Sequence, residues 1–494
     1  FHMDMAGHPF DMTLLVKTPV SDPDIKGHIK GKIDLGKIKD LMPSEEMKIS
    51  GIITTDVVLN GKLSAIENEK YDQFQALGNI TVQSLIYMDA DYPQGFTIHS
   101  AKASLSPQFI KVDELTANIG SSDMSMQGKI ENFLAYYFNE ELLKGNFILS
   151  SNHMDLNDLS SNEMNETEES NTEVSSEMAV VEIPKNIDFS LNTSIKTLLY
   201  DQIEMKNVKG GLVLKDGLAK MQNLQMEMLD GQLKMSGSYS TENMHKPAFN
   251  FDMEAVGLNV KKSFVAFNTV QKLAPIARHA EGDVSVKMNI NGFLLSNMDP
   301  DLESLNSRGR LQSNNLTLKN ADLFQQLGSL LKVDRFNQFT LAVVDFSFIM
   351  ENGDLMVKPF ETKFGKSKMV ISGSQKLDQS IDYGIDFSIP SSELGSKANE
   401  VANQLLGEAG KFGVDLKTPE QLKFKALIGG TLRAPKVSLD LKSGATNLAE
   451  DLKKQAEDKI KQEADQAKKA AIEAAKKQAA QLLSEADRQG KKWI

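Results

Sequence analysis

The chain has 494 residues and a formal net charge of −12, which argues against a nucleic-acid partner because phosphate binding needs a concentrated basic surface. Hydrophobic residues make up 40% and charged residues 25%, as in an ordinary globular protein, and the lack of cysteine excludes disulfides and thiolate metal or redox sites. No apolar run reaches the ~18 residues that span a bilayer, and no signal peptide is visible.

The chain opens on FHMDMAGHPFDM, and Phe10, Met12, Leu14 and Val16 already alternate with other residues. A period of two marks a strand with one dry and one wet face. Residue 1 is therefore expected inside a β unit, and the chain is read as a fragment whose N-terminal part is missing. Residues 1–34 read as strands with a turn at 19–23, and 35–42 as a short helix before Pro43. A strand bracketed by Gly51 and Gly61 follows, then a polar turn at 68–73. Further strands are expected near 79–88, 96–105, 109–119, 124–130 and 146–150, with a helical turn at 155–159. The stretch SSNEMNETEESNTEV, 160–174, cannot bury enough surface to offset its ordering entropy and reads as a disordered acidic loop.

From 183 to 258 the alternation resumes, as in Leu224/Met226/Met228 and Phe249/Phe251/Met253. Residues 258–280 switch to helical spacing through Phe264, Phe267, Val270 and Leu273, interrupted by Pro275. The clearest strand is 281–294, EGDVSVKMNINGFL, with Val284, Val286, Met288 and Ile290 on one face and Gly282 and Gly292 as brackets. A helix is expected at 320–333 and strands at 339–350, 355–364, 369–375 and 381–389. An amphipathic helix follows at 392–412, then closing strands at 422–432 and 436–441. Residues 445–492 are rich in Ala, Lys, Glu and Gln and predict a long helix. Its apolar stripe is mostly alanine, weak for a coiled coil or membrane insertion, so it is expected to lie against the body.

These pieces repeat. Leu35, Pro43, Gly51 and Gly61 match Leu258, Pro275, Gly282 and Gly292 in order. Gly120–Gly128 and Gly365–Gly373 share a spacing of eight, and Gly231 and Gly237 form a partial third copy. Repetition at long period points to an elongated array in which each unit buries its edge against the next. Catalytic chemistry is not visible. The seven His residues are scattered, without HExxH, GxSxG, a P-loop or a dinucleotide fingerprint. The expectation is no enzyme, no metal and no cofactor. Of the 23 methionines, Met126, Met228, Met235, Met253, Met288 and Met350 sit at inward strand positions, where a flexible thioether suits changing apolar shapes. Either a second sheet or a bound acyl chain would cover such a face.

The C-terminal part, 249–441, resembles the AsmA-like proteins of Gram-negative bacteria. The resemblance is carried by the Pro275–Gly282–Gly292 unit, by 309–327 (GRLQSNNLTLKNADLFQQL), by 351–390 ending in DYGIDFSIP, and by the closing IGGTLRAPKVSLDL at 428–441. It implies a long, curled sheet of repeated units with a hydrophobic trough, a β-groove; with the elements read above, the expected fold is mainly β, an elongated, curled antiparallel sheet with a few short helices and a long C-terminal helix, the tail and the acidic loop lying outside the resemblance. It also implies a periplasmic protein, anchored to the inner membrane by an N-terminal helix missing here, and a role in phospholipid movement between the inner and outer membranes and in outer-membrane biogenesis.

The expected organisation is N-terminal β-groove units at 1–159, an acidic linker at 160–182, a central β unit at 183–257, the AsmA-like region at 258–442 and the terminal helix at 443–494. The residues expected to line a lipid groove are Phe249, Phe251, Met253, Val284, Val286, Met288, Ile290, Phe346, Phe348, Met350, Tyr383, Ile385 and Phe387. Their partners would be phospholipid acyl chains and the two membranes or their proteins, with no nucleic acid. Two rival readings are an assembly factor that pairs strands of outer-membrane proteins with its open edge, and a structural scaffold with a closed core.

Overall fold

The computed structural model describes residues 1–4, 7, 9–38, 47–68, 70, 73–89, 94–139, 141–160, 180–331, 334–390, 393, 421–440, 454, 458 and 461–480. Residues 39–42 of the short helix expected at 35–42, the acidic loop expected at 160–174 apart from Ser160, and the helix expected at 392–412 apart from Glu393 lie outside them. Two compact units form. The first is Phe1–Thr317 with Val343–Lys358 and Gln375–Asp378, and the second is Leu318–Ala342 with Pro359–Ser374 and Gln379–Ile494.

The first unit begins with β1 (His2–Asp4), β2 (Pro9–Lys17), β3 (Asp24–Asp34), α1 (Leu35–Ile38) and β4 (Lys48–Lys62). Next come α2 (Leu63–Glu67), β5 (Gln75–Met88), β6 (Phe96–Leu105), β7 (Phe109–Ile119) and β8 (Ser122–Glu131). Then follow α3 (Phe133–Asn139), β9 (Leu143–Asp155), α4 (Leu156–Ser160), β10 (Ile187–Tyr200), β11 (Ile203–Lys215) and β12 (Leu218–Met228). The unit continues through β13 (Gly231–Ser240), β14 (Ala248–Asn259), α5 (Val260–Ala266), α6 (Asn268–Leu273), β15 (Ala280–Glu281) and β16 (Asp283–Phe293).

Strand β17 (Asn306–Lys319) leads into α7 (Asp322–Leu331), and β18 (Gln338–Glu351) and β19 (Asp354–Phe364) follow. The second unit ends with β20 (Ser367–Gln375), β21 (Ile381–Pro390), β22 (Gln421–Thr431), β23 (Ala434–Asp440) and α8 (461–480). The fold is mainly β with few helices, short apart from α8, as the alternation predicts. Strands β2 to β9 pair antiparallel with their sequence neighbours. Strand β10 then pairs parallel with β9, and antiparallel pairing resumes from β10 to β14, on to β16 and then β17.

The strands fall close to their expected places, and the helical spacing at 258–280 becomes α5, α6 and a 3-10 turn at Pro275–His279. Pro275 stands at the start of that turn because its missing N–H costs nothing there. Gly51, Gly61 and Gly282 take φ values of +119°, +145° and +125°, which glycine adopts without steric cost, but only Gly282 stands at a strand end: Gly51 and Gly61 lie inside β4 and Gly292 inside β16, so these do not bracket their strands as expected. The helices α2 and α3 and strand β17 had no counterpart in the sequence reading. Helix α8 confirms the helical composition of the tail, yet every residue of 461–480 is exposed, so the described part does not lie against the body.

The core of the second unit is aromatic and closed. Phe336 is 1% exposed, and its ring lies 6.0, 5.2 and 6.0 Å from those of Phe339, Phe364 and Phe387. Helix α7 covers this cluster with Phe324, Leu327 and Leu331, and Phe324 meets Phe339 edge-on at 4.7 Å. Such edge-to-face contacts match the positive rim of one ring to the negative face of the next. Gln326 of α7 donates to the Pro435 carbonyl at 3.0 Å, on β23.

A polar clamp closes one side of the same core. Glu393 accepts from Arg335 Nη1 at 2.6 Å, from Ser367 Oγ at 2.7 Å and from the Lys366 backbone at 3.0 Å, while Arg335 also donates to Ser367 and lies over the Phe364 ring. Desolvation alone would raise the Glu393 carboxyl, but the hydrogen bonds from Ser367, Arg335 and Lys366 together hold it below its ordinary value of 4.5. A depressed folded-state value means that the clamp stabilises above the unfolded pKa and is lost as pH falls through the folded one. Acid titration of this unit should therefore show a loss of stability below about pH 4.5, and Glu393→Gln should lower stability at pH 7 and flatten that acid limb. An unchanged acid limb in the variant would remove Glu393 from this role.

Candidate functional site

The candidate surface is built by register. Because side chains alternate across a strand, a row of directly opposed residues stays on one face. Starting at Phe10, the partners run Gly31, Thr55, Ile80, Ala103, Val112, Gly128 and Phe147. They continue through Leu191, Leu212, Met221, Gly237, Phe251, Ile290 and Ser307. The row crosses fifteen strand positions from β2 to β17 without a charged residue. Ile80, Val112, Leu191, Leu212, Met221, Phe251 and Ile290 are all only half-buried. The opposite face is charged and self-neutralising, with Lys30–Asp56 at 3.0 Å, Lys102–Glu114 at 3.0 Å and Lys215–Asp188 at 2.7 Å. Surface pairs of this kind add little stability, but they fix which face is wet.

Dry rims flank the row where β9 to β16 run. At one end of the strands, Met154, Ile195, Val208, Met226, Leu233 and Ala255 form a buried cluster that includes contacts from Leu156, Ala266 and Phe267. At the other end, Ile183, Ala219 and Tyr239 form one cluster and Phe249, Leu305 and Met350 another. Tyr239 keeps its hydroxyl satisfied by donating to the Val181 carbonyl at 3.0 Å. Between these rims the half-exposed row is the floor of a trough.

Glycine shapes that floor. A Cβ on Gly128 would come 2.6 Å from Phe147 Cδ1, one on Gly237 2.5 Å from Phe251 Cδ1, and one on Gly309 2.6 Å from Phe348 Cζ. Each aromatic ring thus lies down over a glycine of the neighbouring strand, and the backbone approaches closely where no side chain stands. Gly31 with Phe10 repeats the arrangement in the first unit, and Gly373 with Tyr383 in the second.

The expected lining residues divide between two environments. In the first unit Phe251 opposes Ile290, Met253 opposes Met288, and Val286 lies between Ala255 and Leu311. Val284 opposes Leu258. These positions are half-buried on one face, as are Phe346 and Phe348, whose rings are 6.4 Å apart. Phe249 and Met350 are instead buried in the rim cluster, at 8% and 6% exposure. In the second unit Ile385 and Phe387 are each 2% exposed, and Phe387 stacks on Phe424 at 5.1 Å inside the aromatic core. Tyr383 opposes Ile428, and burial pushes its phenol up to about 12. Ile385 and Phe387 thus belong to a closed interior and not to the trough floor, while Tyr383 is half-buried over Gly373.

Sequence reasoning missed two contributors. The N-terminal half of the row, from Phe10 to Phe147, was legible as alternation but not singled out. The cover supplied by α5 and α6 is legible as helix, but its target is not. A shallow hollow is lined by charged residues, Lys234, Asp252, Glu254, Lys287 and Arg308, together with Met235 and the expected groove residues Met253 and Met288. Among the described residues no three His, Asp or Glu side chains come together as a metal site, and no described helix is long and apolar enough to cross a membrane. No family model matches the chain, and no curated protein matches it.

Proposed function

We propose that the first unit shields phospholipid acyl chains along the uncharged row and thereby serves lipid movement between the inner and outer membranes, working in the periplasm without catalysis. The observation that carries this reading is the charge-free register of apolar and small residues from Phe10 to Ser307, mostly half-exposed and flanked by dry rims where β9 to β16 run. Fourteen inter-strand steps of ~4.8 Å give about 67 Å of path, more than twice the ~30 Å hydrocarbon thickness of a bilayer. Each methylene moved from water to that surface contributes about 0.8 kcal/mol. Because the row is uniform in chemistry, affinity is spread along it and a chain can slide. The AsmA-like resemblance of 249–441 points to the same role.

Purified protein analysed by native mass spectrometry and by solvent extraction should carry phospholipid. Leu191→Glu places a charge between Phe147 and Leu212 and should abolish co-purified lipid while strand content by circular dichroism stays unchanged. Lipid-free wild-type protein would sink the reading and favour a structural scaffold. Photo-crosslinks from Phe348 to nascent outer-membrane barrels, with no lipid bound, would favour the assembly factor.

A further inference from the structure

The helical segment between β14 and β16 differs in charge from the rest of the chain. Residues 255–280 contain Lys261, Lys262, Lys272 and Arg278 and no Asp or Glu, in a protein with net charge −12. Lys262 is answered by Asp230 at 2.7 Å. Lys261, Lys272 and Arg278 are exposed and make no ion pair among the described residues. Two large aliphatic side chains of the same segment are also exposed, Val265 at 67% and Ile276 at 41%.

The segment is lightly held. Only Val260 and Ser263 are buried in α5, and no residue is buried in α6. Its inner side spans the trough. Ala266 and Phe267 pack against the rim cluster that includes Met253, while Leu273 packs with Phe249, Phe251 and Ile290 at the other rim. Gln375 fastens it by donating to the Leu273 carbonyl at 2.8 Å. The chain therefore lays a basic cover, with apolar tips outward, across the floor at β14 and β16.

We propose that this cover is a membrane-docking element, which meets an anionic phospholipid surface through Lys261, Lys272 and Arg278 and inserts Val265 and Ile276 at the interface. The chemistry is that of interfacial helices, where cations meet phosphate and apolar tips enter the headgroup boundary. Docking itself stands on the charge and exposure of the cover. Its use, to bring the covered floor to a lipid source, rests on the acyl-chain reading.

The test is co-sedimentation of the full chain with vesicles of phosphatidylcholine alone and of phosphatidylcholine with phosphatidylglycerol in equal parts. Binding should require the anionic lipid and weaken as salt is raised. The triple variant Lys261→Gln, Lys272→Gln, Arg278→Gln should lose binding, by about fivefold per charge at low salt. A control triple on exposed strand lysines, Lys26→Gln, Lys209→Gln, Lys220→Gln, should bind like wild type, and both should keep wild-type circular dichroism. Val265→Ser with Ile276→Ser tests the apolar tips separately and should weaken binding without changing its salt dependence. Equal binding to neutral vesicles, or equal loss in the control triple, would overturn the proposal. A protein that carries lipid but ignores anionic vesicles defeats docking alone, whereas one that docks but carries no lipid leaves docking standing and defeats the acyl-chain reading.

Discussion

Phe336→Ala is expected to destabilise the second unit by about 3–5 kcal/mol, the usual cost of truncating a buried aromatic. Phe336 is 1% exposed and touches three other phenylalanines, while Leu327 and Leu331 of α7 are 1% and 2% exposed over the same core. The surrounding strands are tied by ladders and cannot collapse freely into the space, so the lost contacts are not regained. Because the chain has two units, a single melting temperature is a poor readout. Amide hydrogen exchange resolves them. Protection should fall across β21 and β22 and stay unchanged across β10 to β14. A loss under about 1 kcal/mol would mean that the core relaxes around the gap, contrary to a closed, well-packed interior.

Gly237→Ala is the second large effect, expected to cost about 1–3 kcal/mol by overpacking. The added Cβ would stand 2.1 Å from the Asn250 carbonyl oxygen and 2.5 Å from Phe251 Cδ1. The ring can rotate, but the carbonyl belongs to the β13–β14 ladder and can move only with its strand. Gly429→Ala is the matched control. Its nearest neighbour would be the Ile381 carbonyl oxygen at 4.0 Å, so alanine should be neutral or stabilise by up to about 1 kcal/mol through the unfolded chain. Denaturant titration of both variants separates the crowded Gly237, at φ +159°, from a glycine with open space around it. Equal effects at the two positions would show that the ring-over-glycine contact is not what constrains the sheet. If Gly237→Ala folds, it should also lift the Phe251 ring into the trough and reduce co-purified lipid.

Much of this architecture was legible from alternation. Strands β6 and β7 match their expected bounds, and the row Val284–Ile290 shares a face as its spacing requires. Strand β17 shows why the signal fails elsewhere. Its inward positions are Ser307 and Ser313, buried at 4% and 5% because their hydroxyls donate to the Asn289 and Asp283 carbonyls at 2.7 and 2.6 Å. Polar letters thus stand where a pattern reader needs apolar ones. Asn315, at φ +60°, then shifts the parity, so that beyond it Leu318 is the buried residue, out of step with Ser307 and Ser313. In β18 and β19 the inward parity likewise changes, between Leu341 and Val344 and between Val357 and Thr362. Both changes fall at the unit boundary, and neither residue type nor spacing announces them.

The residue pattern marks most strands, though not β17, marks the dry face of each as far as its parity holds, and shows no familiar catalytic motif. Those properties follow from local chemistry: side chains alternate at every second residue, and water excludes the apolar ones. What covers each dry face was decided by tertiary structure alone. The same period of two places Phe387 under Phe336 and α7, Phe251 under the edge of α6, and Leu191 half-open on the trough floor. Burial depends on what arrives from distant parts of the chain, and a strand carries no record of its neighbour across the face.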